Sequence, residues 1–272
     1  MKSIGLVVHP KRTEALDSAF AIQEWVSKRG IEVKYLISPN DAQGLDLVIS
    51  LGGDGTMLRA IDLSLVHQVP VMGVNFGHLG YLTETEPSEL FSALERFFEG
   101  DYEIQERMTL DIRVHKRSSS AQSRFVGINE LVVEKSNSGH VVKLAVAIDN
   151  EHFLDYEADG LIVATPTGST AYSFSSRGPV VSPTLSALIL TPISPHMLFD
   201  RVMVLGPNEQ VEITVLDGPC ATLMIDGINK EVLAVGETVT VKSSLLNARL
   251  AKFANRDFRH ILKLKFGLDN KI

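Results

Sequence analysis

The chain has 272 residues, enough for one large domain or two ordinary ones with ample material for cores. Its composition, 44% hydrophobic and 22% charged, is that of a globular chain, and a net charge of -7 argues against broad nucleic-acid or anionic-membrane binding, which calls for basic clusters. The single cysteine, Cys220, excludes an internal disulfide and a multi-cysteine metal site, and reads as a core residue in a reducing compartment. The start, "MKSIGLVVHPKR", has too short an apolar part for a signal peptide. No apolar run reaches the roughly 20 residues of a membrane span, so the expected location is the cytoplasm.

The first third alternates apolar runs with helical patterns. "SIGLVVH" reads as a buried strand and residues 13–29 as an amphipathic helix ending at Gly30. "IEVKYLI" and "DLVISL" are the next strands, residues 55–65 a helix, "VPVMGVN" a fourth strand, and residues 88–98 a helix stopped by Gly100. Strands spaced by helices imply a parallel sheet covered on both faces, with ligands at the strand C-terminal ends. After Gly100 strand-like runs follow one another: "RMTLDIRVHK", "RFVGINELVVEK", "HVVKLAVAIDN", "EHFLDYEADGLIVAT", "RVMVLG", "QVEITVLD", "ATLMIDG" and "ETVTVKS". Strands without intervening helices indicate an antiparallel domain. The tail "RDFRHILKLKFG" returns to helical spacing. The expected organisation is α/β: residues 1–100 with about 250–272 form a parallel α/β domain, residues 101–249 form a β-rich, sandwich-like domain, and the C-terminal helix packs back on the first. A cleft between two such domains is the natural place for a site.

"DLVISLGGDGTMLRA" sets an aspartate inside a glycine turn at the end of a strand. A plainer reading is turn-making glycines with an aspartate cap. Yet two glycines before Asp54 and one after exceed what such a turn requires. Gly52, Gly53, Gly55 and Thr56 would form a phosphate-binding loop at a helix N-terminus, where free N–H groups and the dipole favour an anion. Asp54 is tolerable there when a divalent cation or a substrate hydroxyl lies between it and the phosphate, and both point to phosphoryl transfer. No GxxxxGK[ST] and no GxGxxG pattern occurs, so a P-loop lysine is missing and a metal ion must carry much of the charge neutralisation. Arg59, one helical turn on, could reach the same phosphates. A carboxylate beside an attacking hydroxyl orients it and accepts its proton late.

"GVNFGHLGYLTE" follows the fourth strand; Gly73, Gly77 and Gly80 permit close approach, Phe76 and Leu79 can wall a nucleotide, and His78 reads as structural. "FVGINELVVEK" places Asn129 and Glu130 inside an apolar run, where neighbouring side chains point to opposite faces; the pair leans towards binding ribose hydroxyls rather than a wet sheet edge. Residues 156–179 combine Asp159, a hydroxyl-rich turn from Thr165 to Thr170, and Tyr172, able to stack on a flat ring; this density of polar groups after a buried strand reads as a nucleoside site. His140 reads as a surface histidine on spacing alone.

In this order, "LGGDGTMLRA", "GVNFGHLGYL", "NELVV", "DGLIVATPTGSTAYSFSSRGP", "TPISPH" and "FRHILKLKFG" resemble the NAD kinase family over nearly the whole chain. GGDG alone is shared with lipid and sugar kinases, whereas the long hydroxyl-rich motif with "FGHLGYL" is specific. The resemblance implies phosphoryl transfer from ATP, or in some members polyphosphate, to the adenosine 2′-hydroxyl of NAD, giving NADP. It implies a divalent cation, normally Mg²⁺, and an N-terminal α/β domain with a β-rich domain that binds NAD and mediates assembly as a homodimer or homotetramer. Asp54 matches the proton-accepting carboxylate, Gly55 and Arg59 lie beside it in the NAD site, and Asn129 and Glu130 match the pair on the NAD ribose. His140 and Asp159 match further ligand-contacting positions, and Thr170, Ala171, Tyr172, Ser173, Phe174 and Ser175 the segment around the nucleosides. Glu157 stands where relatives often carry a basic residue and Ile228 where glutamine is frequent; neither is assigned a contact. The alternatives are a lipid or sugar kinase of the wider GGDG group and a dinucleotide sensor without chemistry.

Overall fold

The structure, a computed structural model, describes residues 2–77, 79–117, 122–137, 139–253 and 258–268; His78, read above as structural, lies outside them. The chain forms two compact units, Met1–Glu106 with Leu246–Ile272, and Arg107–Leu245.

The first unit is built on β1 (Ser3–Val8), β2 (Glu32–Tyr35), β3 (Leu47–Gly52), β4 (Val71–Asn75), β5 (Glu103–Arg107) and β18 (Ala248–Lys252), in the order β2-β1-β3-β4-β18-β5. The pairs from β2 to β18 are parallel. β3 and β4 are buried at every residue, as a sheet covered on both faces requires. Helix α1 (Thr13–Ser27) buries Ala15, Ala19, Ile22 and Val26 along one stripe, and α3 (Leu90–Glu99) adds Leu94 and Phe97 to the same core. α3 ends at Gly100, whose φ of 84° is left-handed. Helix α2 (Asp54–Ser64) begins one residue before the expected Gly55, with Gly53 as N-cap. β5 and β18 were not expected. β18 returns from the far end of the chain to lie beside β4, pairing Leu250 with Val71, a non-local contact that five residues of mixed "ARLAK" do not announce. Helix α5 (Phe258–Phe266) belongs to this unit and sets Phe258 against Tyr81.

The second unit contains two six-stranded sheets. One orders β6 (Leu110–His115), β7 (Gln122–Gly127), β9 (Val142–Ile148), β10 (Glu151–Ala158), β14 (Val211–Asp217) and β17 (Thr238–Ser243) as β10-β9-β14-β17-β6-β7. The other orders β8 (Glu130–Lys135), β11 (Gly160–Ala164), β12 (Leu188–Ile193), β13 (Met203–Leu205), β15 (Ala221–Ile225) and β16 (Ile228–Leu233) as β13-β12-β11-β8-β15-β16. Every recorded pairing in both is antiparallel. Alternate residues of both sheets meet in one core, among them Ile112, Leu144 and Ile213 from the first and Val133, Val163 and Leu223 from the second. The opposite face of the second sheet is covered as well: Val132, Ile162 and Ile189 form a separate apolar cluster against Val181, Val202 and Tyr172, which opens the short helix α4 (Tyr172–Ser175). That double cover explains the unbroken apolar runs of β11 and β12, the latter missed in the sequence.

Candidate functional site

In the first unit the glycine turn joins β3 to α2 at the strands' C-terminal edge. Its glycines divide the work. A Cβ on Gly52 would stand 2.2 Å from Thr56 Oγ1, so Gly52 is a packing glycine, whereas Gly53 and Gly55 face open space. The first N–H groups of a helix lack intrahelical acceptors, so this open side suits an anion. Asp54 does not cap α2. Its carboxylate instead spans to the loop after β4: Oδ2 accepts the Tyr81 N–H at 2.8 Å and Oδ1 the Leu82 N–H at 3.1 Å. Gly80 is indispensable to this clamp, because a Cβ there would fall 2.1 Å from Asp54 Oδ1. A carboxylate has about four acceptor positions, so two remain.

Beside the turn lies a cleft of about 410 Å³ lined by His9, Arg12, Gly53, Gly55, Thr56 and Arg59. Arg59 is exposed there, and Arg12 anchors itself by donating to the Phe76 carbonyl. Phe76 packs partly into the unit's core and Leu79 is half-buried. Sequence reasoning missed His9, Arg12 and Tyr81. The signal for the first two was present, since "HPKR" follows β1 at the same sheet edge as the glycine turn.

The second unit gathers the other candidates around an aspartate the sequence reading passed over. Asp226 accepts N–H groups from Ile128 at 2.9 Å, Asn129 at 2.7 Å and Glu130 at 3.1 Å, and so shapes the corner between β7 and β8. Asn129 therefore stands at a corner and not inside one strand, and the opposite-faces argument does not hold for the pair. Glu130 opens β8 and is 5% exposed. Burial, then the Asp226 charge, push its carboxyl up to about 8, against the Tyr172 N–H that donates to it. Its Oε2 has no partner among the described residues. A buried carboxyl with a free oxygen at a turn is a costly arrangement that a hydroxyl donor would relieve.

The hydroxyl-rich turn is largely self-satisfied. Thr165 Oγ1 donates to the Ile128 carbonyl at 2.7 Å and accepts the Gly168 N–H at 3.1 Å. Ser169 donates to the Pro166 carbonyl at 2.7 Å and accepts the Val181 N–H at 3.1 Å. Ser173 is fully buried, its hydroxyl 2.9 Å from that of Thr191. These hydroxyls build the segment; the groups free to meet a ligand are around them. Thr170, Ala171 and Tyr172 are half-buried, Phe174 and Ser175 exposed. Tyr172 and Ser175 border a cleft of about 680 Å³ with Arg177, Ile193 and Arg201. Asp159 pairs with Lys135 and, after burial and Glu134, helps hold the Tyr172 phenol above its ordinary value. Thr165→Val keeps shape but strands the buried Gly168 N–H, so a loss of about 2 kcal/mol is expected, read as a lower midpoint in urea unfolding.

His140 is exposed, as are Glu157 and Ile228. Cys220, expected in the core, is exposed instead, because it falls in the turn before β15.

Comparison with known proteins identifies the family of the chain. Residues 33–102 match the ATP-NAD kinase N-terminal domain and residues 128–253 the ATP-NAD kinase C-terminal domain. A NAD kinase of Heliobacterium modesticaldum is 39% identical over 97% of this chain and 98% of its own, and one of Clostridium botulinum is 36% identical over 98% and 97%. The fold is that of the yeast NADH kinase solved with NADH, with a TM-score of 0.88 at 23% identity over 100% of this chain and 89% of that one. A NAD kinase from Archaeoglobus fulgidus solved in complex with ATP has a TM-score of 0.75 at 26% identity over 98% of both chains. Two matched domain models and relatives aligned over nearly their whole length decide the matter: the chain belongs to the NAD kinase family.

Proposed function

We propose the following roles in the reaction of an NAD kinase, the phosphorylation of NAD to NADP. Asp54 accepts the proton of the adenosine 2′-hydroxyl of NAD as the new O–P bond forms and the bond from the γ-phosphorus to the leaving ADP oxygen breaks. The observation that carries this reading is the clamp on Asp54: two backbone N–H groups fix the carboxylate at the mouth of the glycine turn and leave it acceptor positions for a hydroxyl. Arg12, Arg59 and the open N-terminus of α2 favour the donor phosphates in the adjoining cleft. Asn129 and Glu130 take the ribose hydroxyls, with the orphan Oε2 as acceptor; Tyr172, Phe174 and Ser175, with Ala171 and Thr170, border the nucleoside, and Asp159 and His140 are proposed as further contacts. ATP is the proposed donor, in keeping with the ATP bound to the Archaeoglobus relative.

The described residues contain no cluster of three His, Cys, Asp or Glu side chains that could cage a metal ion. Mg²⁺ commonly needs only one or two carboxylates beside substrate phosphates, so the residues fit a cation that arrives with the donor, Asp54 being the carboxylate in reach. Such a cation neutralises phosphate charge. A homo-oligomer is proposed on the exposed apolar surface of the second unit, where Phe153 and Phe199 meet edge to face beside Leu198. No described helix is long and apolar enough to cross a membrane; the cytoplasm is proposed as a place where the exposed Cys220 thiol stays reduced.

The test is purified protein with NAD, ATP or polyphosphate, and Mg²⁺, reading NADP through an NADP-specific dehydrogenase. Formation of NADP with ATP is expected. Labelling of diacylglycerol or fructose 6-phosphate in place of NAD would favour the wider GGDG kinases, and tight NAD binding without NADP from any donor would favour a sensor.

A further inference from the structure

The glycine turn has no lysine of its own, yet α5 brings one to it. Phe258, Ile261 and Lys265 recur at helical spacing and share one face of α5. Ile261 is buried, the Phe258 ring lies 6.2 Å from that of Tyr81, and the Lys265 ammonium stands 3.8 Å from the centre of the same Tyr81 ring. Tyr81 is the residue whose backbone N–H holds Asp54 Oδ2. The Asp54 charge is felt at both neighbours. Burial and then Asp54 raise the Tyr81 phenol, while partial burial lowers the Lys265 ammonium and Asp54 opposes that lowering. Lys265 is nonetheless exposed. A cation resting on a ring, next to a fixed carboxylate and accessible on its other sides, is suited to an anion that comes and goes.

We propose that Lys265 is a positioning residue for phosphoryl transfer: seated on Tyr81, its ammonium offsets the negative charge of Asp54 and of the phosphoryl group arriving at the glycine turn, so that the two can share one acceptor hydroxyl. The inference rests on the NAD kinase reading and adds to it the positive charge that a P-loop lysine supplies elsewhere. A purely mechanical role, fastening α5 to Tyr81, makes a different prediction. Lys265→Met keeps the length of the side chain and a sulfur contact to the ring while removing the charge.

The experiment compares full-length wild type, Lys265→Met and Lys265→Arg with NAD, ATP and Mg²⁺. Lys265→Met is expected to lower kcat roughly ten-fold or more. KM for NAD and ATP should stay within about two-fold and the melting temperature should hold. Lys265→Arg should recover most of the rate. Unchanged kcat in Lys265→Met overturns the proposal. So does a loss that Lys265→Arg fails to recover, or one that tracks a lower melting temperature. The wild-type rate reports separately on the parent reading: NADP formed by wild type with no effect of Lys265→Met defeats this inference alone, whereas no NADP from wild type with any donor defeats both.

Discussion

Asp54→Asn is expected to lower NADP formation by roughly 10²–10⁴-fold, the range of a positioned general base. The effect has two sources that can be separated. Asparagine cannot accept the hydroxyl proton, and its amide presents one NH₂ where the carboxylate now receives N–H groups from both Tyr81 and Leu82. One buried donor is then left facing another, which costs about 1–3 kcal/mol and loosens the loop after β4. Gly80→Ala isolates the geometric part, since its methyl would occupy the place of Asp54 Oδ1 while the carboxylate keeps its charge. Both variants should lose turnover, and Gly80→Ala should keep a residual rate above that of Asp54→Asn. Turnover at the wild-type level in folded Asp54→Asn would remove the carboxylate from the mechanism.

Glu130→Gln is expected to make the protein more stable and a poorer binder of NAD. Burial and Asp226 hold the Glu130 carboxyl at about 8, far above its usual 4.5. The folded state thus binds this proton more tightly than the unfolded chain. The associated stability is complete below about pH 4.5 and drains away as pH rises towards about 8. A pH of 7 lies about 2.5 units above the unfolded value of 4.5 and still below about 8, so by pH 7 roughly 3 kcal/mol of this proton-linked stability has been lost. Gln keeps an acceptor for the Tyr172 N–H but has nothing to titrate. Its melting temperature should exceed that of the wild type by several degrees at pH 7, and the gap should close near pH 4.5. If ribose hydroxyls donate to the carboxylate, KM for NAD in the wild type should improve as pH rises through about 8, while Glu130→Gln shows a raised, flat KM. Parallel melting curves against pH would show that Glu130 is not the group responsible.

Much of this was legible in the sequence because local pattern and final environment agree. The strands and helices around the glycine turn announce themselves by period, as α1 does through Ala15, Ala19, Ile22 and Val26. The site was harder to read wherever its contacts join residues distant in the chain. Asp226 lies almost a hundred residues from the N–H groups it gathers, and nothing in "IDGI" marks it. The plainer reading of Asp54 as a helix cap gives no hint of residues 81 and 82, whose N–H groups its carboxylate holds instead. The hydroxyl run misled in the other direction. Polar density after a buried strand was read as ligand contact, yet Thr165, Ser169 and Ser173 turn inward, because a segment laid over an apolar sheet must satisfy its own backbone.

That same segment, roofing Val132, Ile162 and Ile189, gives the second unit a particular weakness. Were residues 165–187 to lift while the two sheets remained whole, an oily stripe would meet water without any global melting. Hydrogen exchange should find these amides opening ahead of the sandwich strands, and any molecule that pins the roof should slow clumping more than it raises the melting point.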